Sequence, residues 1–126
     1  MAMTVKDMLA AANATVPKIT PQETAERLLA GDALVVDVRD APELQSTGKI
    51  AGAIHVPRGM LEFRASPESP YFDKAFDPDR TVILYCASGG RSALAGKTLK
   101  DLGYRDVRNM GAFKDWAESG GAVDNV

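Results

Sequence analysis

The sequence predicts an α/β protein with a central, mostly parallel sheet of about five strands and helices on both faces. Short apolar, β-branched runs alternate along the chain with segments whose apolar residues recur at helical spacing. Two of these runs, residues 33–39 and 81–85, are apolar almost throughout, as is typical of strands buried on both faces of a parallel sheet. The 126 residues, 45% of them hydrophobic, suffice for one core without a disulfide or a metal.

The N-terminal part of the chain is expected to form a helical extension, residues 1–16, which precedes a single domain spanning residues 17–126. The helix of the extension should end before Pro17, because proline cannot continue a helix. Apolar residues recur within the extension at helical spacing: Val5, Met8, Leu9 and Ala12.

The domain is expected to begin with a helix at residues 20–31. Thr20 can cap this helix, Pro21 suits its first turn and Glu23 completes a capping box. Gly31 can end it, because glycine tolerates the left-handed conformation that follows many helices. The residues expected to face the core are Ala25, Leu28 and Leu29.

Strands and helices then alternate to the C-terminus. After the strand at 33–39, Asp40 is expected to cap a short helix that ends at Gly48, and a short strand follows at 53–57. The strand at 81–85 is followed by a helix at 92–102, a strand at 106–110 and a helix at 112–119. This alternation indicates parallel strands with helices packed on both faces.

Residues 58–80 form a long segment with three prolines and four aromatic residues. A short helix is expected near residues 60–63, with irregular chain after it. A connection of this length in a compact domain is often a pocket wall or a lid. The segment is therefore expected either to frame a substrate pocket, with Arg58 and Arg64 at its mouth, or to wrap around the domain.

The charge balance and the cysteine count exclude several classes of function. With 15 basic and 17 acidic residues the net charge is −2, which gives no electrostatic basis for binding nucleic acid or an anionic membrane. No apolar run approaches the roughly 20 residues that cross a bilayer. Lys6 and Asp7 interrupt the apolar N-terminus, unlike a signal peptide, so a cytoplasmic location is expected. With one cysteine and one histidine, neither a metal site nor a cofactor is expected.

The only cysteine, Cys86, follows the strand at 81–85 and opens a loop of small residues. Ligands gather at the carboxyl ends of strands in parallel sheets. The small residues let the backbone curl with its N–H groups inward, and the helix that begins at Ser92 directs its positive end at the same place. This cradle should lower the pKa of the thiol, and Arg91 adds a fork suited to an oxyanion. The residues expected to form the cradle are Ala87, Ser88, Gly89, Gly90, Arg91 and Ser92.

A more ordinary interpretation of each feature exists. A lone cysteine is most often a small buried hydrophobe, and Ala-Ser-Gly-Gly is compatible with a plain turn between a strand and a helix. Neither interpretation explains why a thiol, two glycines and an arginine fall within six residues at the end of a strand. A functional site is therefore the favoured interpretation.

Four segments in this order resemble the rhodanese family of sulfurtransferases, in its single-domain form. The loop Cys-Ala-Ser-Gly-Gly-Arg-Ser at 86–92 resembles the family's active loop. The segments at 35–40, 48–57 and 109–116 resemble its Asp-Val-Arg strand, its Gly-His-Ile-x-Gly-Ala-x-x-x-Pro signature and its Asn-Leu-x-Gly-Gly-x-x-x-Trp signature. Lys49 and Ala112 depart from the histidine and the second glycine that are usual there.

The resemblance implies a rhodanese-like fold and a thiosulfate sulfurtransferase. Cys86 would take a sulfane sulfur from a donor such as thiosulfate, carry it as a persulfide and pass it to cyanide, a thiol or a protein acceptor. The positions of two arginines, and not the resemblance, indicate substrate binding: Arg91 in the loop is expected to bind the sulfonate of the donor, and Arg58 to bind substrate at the mouth of the pocket. Asp37 and Arg39 are expected to give structural support, with Asp37 bonded to a loop amide or Arg39 paired with a group such as Glu43.

Two other functions remain open from the sequence. The protein could be a sulfur carrier or a regulatory interaction module that holds a persulfide without turnover. It could also act on arsenate or phosphate esters. Phosphatases with a comparable cradle resemble Cys-x5-Arg, whereas four residues separate Cys86 from Arg91 here, so this second alternative is disfavoured.

Overall fold

The computed structural model describes residues 2–126 and contains six α-helices, one 3-10 turn and six strands within them. The helices are α1 (Val5–Thr15), α2 (Pro21–Ala30), α3 (Ala41–Thr47), α4 (Leu61–Ala65), α5 (Gly90–Asp101) and α6 (Phe113–Glu118). The strands are β1 (Ala33–Asp37), β2 (Lys49–Ile50), β3 (Ile54–His55), β4 (Thr81–Cys86), β5 (Val107–Ala112) and β6 (Val123–Asp124).

Four of the strands form the central sheet, in the order β3-β1-β4-β5, and all their pairings are parallel. The α/β class and the parallel sheet are therefore as predicted, with four full strands instead of about five. The fifth position is a single parallel bridge between Lys18 and Asn109 at the free edge of β5. The bridging segment stays short because α1 ends at Thr15 and Thr20 already caps α2.

The sheet is buried on both faces, which explains the continuous apolar runs of β1 and β4. Successive residues of a strand point to opposite faces. Val36 and Leu84 thus belong to a core that also contains Leu99 of α5, whereas Val35 and Ile83 belong to a second core. The second core includes residues of α6 and is flanked by α2: Phe113, Trp116, Ala25 and Leu28.

In helix α2 both predicted ends are confirmed, but one residue predicted to face the core is exposed. The Thr20 hydroxyl accepts a hydrogen bond from the Glu23 N–H at 3.0 Å, and Gly31 follows the helix with a φ of 70°. The expectation that Leu29 faces the core is wrong, because its side chain is 90% exposed. Leu28 and Leu29 are about 100° apart around the helix, so the sheet can cover only one of them.

The long segment at 58–80 packs onto the domain. It begins with a 3-10 turn, Arg58–Met60, and continues as α4. Leu61 and Phe76 are buried in the core, and Phe76 meets Tyr104 edge to face with 6.2 Å between ring centroids. These contacts favour the expectation that the segment wraps the domain.

A small antiparallel pair of strands, β2 and β6, lies outside the central sheet. It was not predicted, because strands of two residues carry no usable periodicity. Lys49, one of the two departures from the family signature, lies in β2 with its Nζ 3.6 Å from the Asp124 carboxylate in β6. Within residues 2–126, no helix has both the length and the apolar character needed to cross a membrane.

Candidate active site

Cys86 is the last residue of β4, and its side chain is fully buried. The chain turns directly from it into α5, which begins only four residues later at Gly90. This tight turn depends on Gly89, which has a φ of 99°. A Cβ at this position would lie 3.4 Å from the Gly111 Cα, an ordinary contact distance, so it is the positive φ that favours glycine here.

The thiol sulfur is surrounded by hydrogen-bonding groups. The Gly89 N–H donates to Sγ at 3.0 Å, and the Ser92 Oγ lies 3.4 Å from Sγ. The Ser92 Oγ also lies 2.7 Å from the Asn109 Oδ1, so the single hydroxyl proton can be donated either to this amide oxygen or to the sulfur. The Asn109 amide donates to the Gly89 carbonyl at 3.2 Å, so Asn109 of β5 contacts both Gly89 and Ser92.

These contacts set the acidity of the thiol. Burial raises the pKa of Cys86, because the charged form loses water. Hydrogen bonds from the Ser92 side chain and from the backbone N–H groups of Ser92, Ser88 and Gly89 lower it. The lowering prevails, so the pKa of the thiol lies below its ordinary value.

Arg91 is held by a carboxylate of α3. Its two terminal nitrogens lie 2.7 and 2.8 Å from the two carboxylate oxygens of Glu43. The Arg91 guanidinium lowers the pKa of Glu43 to about 2, and Glu43 in turn raises the pKa of Arg91. The Arg91 guanidinium, which the sequence suggests as the binding group for a donor sulfonate, is thus already paired with the Glu43 carboxylate.

Asp37 and Arg39 form an ion pair with side chains only 0% and 2% exposed. The Arg39 Nη2 lies 2.7 Å from Asp37 Oδ2 and also donates to the Gly48 carbonyl at 2.9 Å. Its guanidinium carbon is 4.5 Å from the centroid of the Phe113 ring. The pairing of Arg39 with Glu43 that the sequence left open does not occur, because Glu43 pairs with Arg91.

Arg58 lies away from the loop. Its side chain donates to Glu62 at 2.8 Å and to the Thr98 hydroxyl at 3.0 Å, in a groove between α1 and α5. The structure therefore does not bring Arg58 to the cavity beside the Cys86 loop. His55, the only histidine, has its Nε2 2.6 Å from the Arg39 carbonyl oxygen, to which it donates.

A cavity of about 410 Å³ adjoins the loop. Ser88, Gly89 and Gly90 line one part of it, and the last residues of β5 line another. Four further residues line it that the sequence analysis did not assign to a site: Leu9, Asn13, Lys18 and Asp115. Sequence reasoning did not place them at the loop, because each depends on the packing of the elements. Leu9 and Asn13 reach the cavity through the packing of α1 on α5, Lys18 through its bridge to Asn109, and Asp115 through α6, which follows β5 directly.

Ser92→Ala is expected to raise the pKa of Cys86 and to slow its reaction with a sulfur donor about tenfold at neutral pH. The substitution removes one hydrogen bond to a charged group, worth roughly 1.5 kcal/mol. Thiolate absorbance followed against pH in the ultraviolet measures the pKa. Ser46→Ala, an exposed serine of α3, is the control. An unchanged titration curve in Ser92→Ala would show that the hydroxyl does not stabilise the thiolate.

Comparison with known proteins extends these observations. The sequence model of the rhodanese-like domain family matches residues 20–119. A sulfurtransferase of Allochromatium vinosum is 35% identical over 107 residues, which are 83% of this chain and 92% of that protein. Thiosulfate sulfurtransferase GlpE of Pseudomonas fluorescens is 35% identical over 100 residues, covering 79% of this chain and 84% of the relative.

A solved structure from Rhodopseudomonas palustris, of a protein of unknown function described as a possible tyrosine phosphatase, superposes with a TM-score of 0.90. It is 38% identical in sequence, and the match covers 98% of this chain and 96% of that one. A Bacillus subtilis protein, YrkF, named as a candidate sulfur carrier, is 27% identical over 104 residues. The present chain spans only 51% of the length of YrkF.

Proposed function

Because the chain belongs to the rhodanese-like domain family, we propose that it is a sulfurtransferase that moves a sulfane sulfur from a donor such as thiosulfate to cyanide or a thiol. The observation that carries this proposal is the Cys86 sulfur at the end of β4, which accepts the Gly89 N–H at 3.0 Å and has a lowered pKa. A thiolate that is stabilised by backbone N–H groups at the N-terminus of a helix is an activated nucleophile.

The transfer proceeds in two displacements. The Cys86 thiolate attacks the outer sulfur of thiosulfate, the bond between the two donor sulfurs breaks, and sulfite leaves with the electron pair. In the second step an acceptor nucleophile attacks the outer sulfur of the resulting persulfide, and the Cys86 thiolate leaves. No oxidant or reductant is consumed, and the two half-reactions predict ping-pong kinetics.

The loop has a specific task in both steps. The persulfide is anionic, so the N–H groups that lower the pKa of Cys86 also stabilise the negative outer sulfur. Residues 87–92 are proposed to form this cradle, with Asp37 and Arg39 as structural support beneath it. Arg91 is proposed to bind the sulfonate of the donor by exchanging its Glu43 partner for it. The partners are small molecules or an acceptor protein, and the proposed location is the cytoplasm.

Intact-mass measurement and a steady-state assay together test the proposal. Incubation with thiosulfate should add the mass of one sulfur atom to the protein, and subsequent cyanide should remove it and yield thiocyanate over many cycles. A protein that loads once but turns over poorly would instead be a sulfur carrier, the role suggested by the name of YrkF. A protein that gains no sulfur from any donor would not be a sulfurtransferase.

Phosphate-ester chemistry is the second candidate, because the Rhodopseudomonas palustris relative is described as a possible tyrosine phosphatase. The length of the loop weighs against it. Four residues separate Cys86 from Arg91, one fewer than in the phosphatase cradles that the loop resembles. Hydrolysis of p-nitrophenyl phosphate that disappears in Cys86→Ser would favour the phosphatase.

Glu43→Gln is expected to flatten the acid dependence of stability. The pKa of Glu43 falls from 4.5 to about 2 through its hydrogen bonds to Arg91. A carboxyl with a lower pKa in the folded state stabilises the fold fully above its unfolded pKa, and this contribution is lost as the pH falls through the folded pKa. Between pH 4.5 and about 2, the Tm of the wild type should therefore fall a few degrees further than that of Glu43→Gln.

Calorimetry across this pH range measures the effect, with Glu68→Gln, an exposed glutamate, as the control. Equal slopes for wild type and Glu43→Gln would contradict the pairing. The same variant also tests the role of Arg91. If Arg91 binds the sulfonate, the freed guanidinium should lower the KM for thiosulfate, whereas an unchanged KM would remove that role.

A further inference from the structure

The cavity beside the Cys86 loop contains two opposite charges that the proposed mechanism does not use. Among its lining residues within the described chain, Lys18 is the only cation and Asp115 the only carboxylate. Both are exposed, and neither belongs to any ion pair formed within residues 2–126. They therefore do not neutralise each other by direct contact.

The position of Lys18 is set by the edge of the sheet. The Asn109 N–H donates to the Pro17 carbonyl at 2.9 Å, and the Ile19 N–H donates to the Asn109 carbonyl at 3.2 Å. Residues paired across neighbouring strands project to the same face of a sheet. Since the Asn109 side chain contacts Ser92, Lys18 projects to the face on which the Cys86 loop lies.

Asp115 reaches the same cavity from a different element. It lies in the first turn of α6, which begins directly after β5. A ligand that touches both Lys18 and Asp115 would lie against the cavity-lining backbone of Gly89 and Gly90. Gly89 is also the residue whose N–H donates to the Cys86 sulfur.

The combination of charges restricts the ligand. Asp115 repels a ligand that carries only negative charge, such as thiosulfate, and Lys18 repels one that carries only positive charge. A ligand with both charges can satisfy both residues, and it gains two charge-assisted hydrogen bonds in a partly enclosed site. Arg91 does not line this cavity and is held by Glu43, so it does not alter this balance.

We infer that this cavity selects amphoteric thiols, which carry a carboxylate and an ammonium group as amino-acid thiols do, and that Lys18 binds the carboxylate and Asp115 the ammonium. The inference rests on the proposed sulfur transfer, for which such a thiol is the acceptor. Its thiolate attacks the outer sulfur of the Cys86 persulfide, the bond between the persulfide sulfurs breaks, and the Cys86 thiolate leaves with the electron pair. The product is the persulfide of the acceptor.

The test compares two thiols that each carry one of the charges. N-acetylcysteine has the carboxylate without the ammonium group, and cysteamine has the ammonium group without the carboxylate. Protein loaded with thiosulfate and freed of sulfite is mixed with each thiol, and loss of the sulfur mass gives the discharge efficiency. The ratio of the efficiency for N-acetylcysteine to that for cysteamine should fall roughly fivefold in Lys18→Met and rise roughly fivefold in Asp115→Asn.

This ratio is measured within one variant, so a partly unfolded sample does not change it. Lys114→Met, which removes the charge next to Asp115 in the sequence, should keep the wild-type ratio, because Lys114 does not line the cavity. Wild-type ratios in both Lys18→Met and Asp115→Asn would overturn the inference. A fall of the ratio in Lys114→Met equal to that in Lys18→Met would do the same, because it would show that any nearby positive charge has this effect.

A binding measurement separates failure of this inference from failure of the proposed function. S-methylcysteine carries both charges but cannot accept sulfur, and calorimetry on the unloaded protein gives its Kd. The Kd should rise roughly fivefold in Lys18→Met and in Asp115→Asn. If this holds while the wild type takes up no sulfur, the cavity assignment stands and the sulfurtransferase proposal fails. If sulfur loads and discharges but neither the Kd nor the ratio changes, the cavity assignment fails alone.

Discussion

Cys86→Ser should take up no sulfur from thiosulfate, and its turnover with cyanide should fall roughly a thousandfold or more. A hydroxyl in the same place cannot ionise near neutral pH, even beside the N–H groups that lower the pKa of the thiol. Intact-mass measurement shows the absence of the added sulfur, and the thiocyanate assay shows the loss of turnover.

Two controls make this result specific. Cys86→Ala tests whether the serine hydroxyl disturbs the buried site, and the Tm of both variants shows whether the fold survives. Ser46→Ala should load as the wild type does, since its side chain is exposed on α3. Sulfur uptake by Cys86→Ser at the wild-type level would place the acceptor atom elsewhere and end the proposed mechanism.

Arg39→Met should lower the free energy of unfolding by about 3–5 kcal/mol, because it leaves the Asp37 carboxylate buried without its partner. The side chain of Asp37 is 0% exposed, so water cannot replace the lost guanidinium. The variant also loses the hydrogen bond to the Gly48 carbonyl and the contact with the Phe113 ring. Chemical unfolding monitored by circular dichroism measures the change.

The double variant Asp37→Asn with Arg39→Met should recover part of the loss, since it removes the uncompensated charge. Arg105→Met is the matched control. Arg105 pairs with Asp79, but its side chain is 80% exposed, so little stability should be lost. A loss in Arg39→Met no larger than that in Arg105→Met would show that the buried pair contributes little to the fold.

Local sequence signals predicted the elements that have a strong period or a recognisable cap. The capping box of Thr20 and Glu23 and the apolar runs of β1 and β4 have their causes within a few neighbouring residues. Local sequence signals were not sufficient where burial or strand pairing depended on residues far away in the chain. They could not decide which of two adjacent leucines of α2 the sheet covers, or that β2 would pair with β6.

For the charged residues near the site, too, the sequence predicted part of the arrangement and the fold decided the rest. Arg91 and Arg39 could each be identified as important, because a cation in a tight loop or a buried strand needs an explanation. Their partners could not be assigned, since Glu43 could approach either one. The fold decides between them: Asp37 meets Arg39, and α3 directs Glu43 to Arg91.

The amino-acid sequence by itself determined where the proposed nucleophile lies, because the thiol, the small residues that let backbone N–H groups converge on it and the strand that carries it are contiguous from residue 81 to residue 92. Only the tertiary structure decided what surrounds that nucleophile. Lys18 is more than ninety residues away from Asn109 and Asp115 in the chain, and it shares one cavity with them only because it bridges to the edge strand of the parallel sheet. Hydrogen bonding within a short loop is a local property, whereas the position of charges around it depends on contacts between residues far apart in the chain.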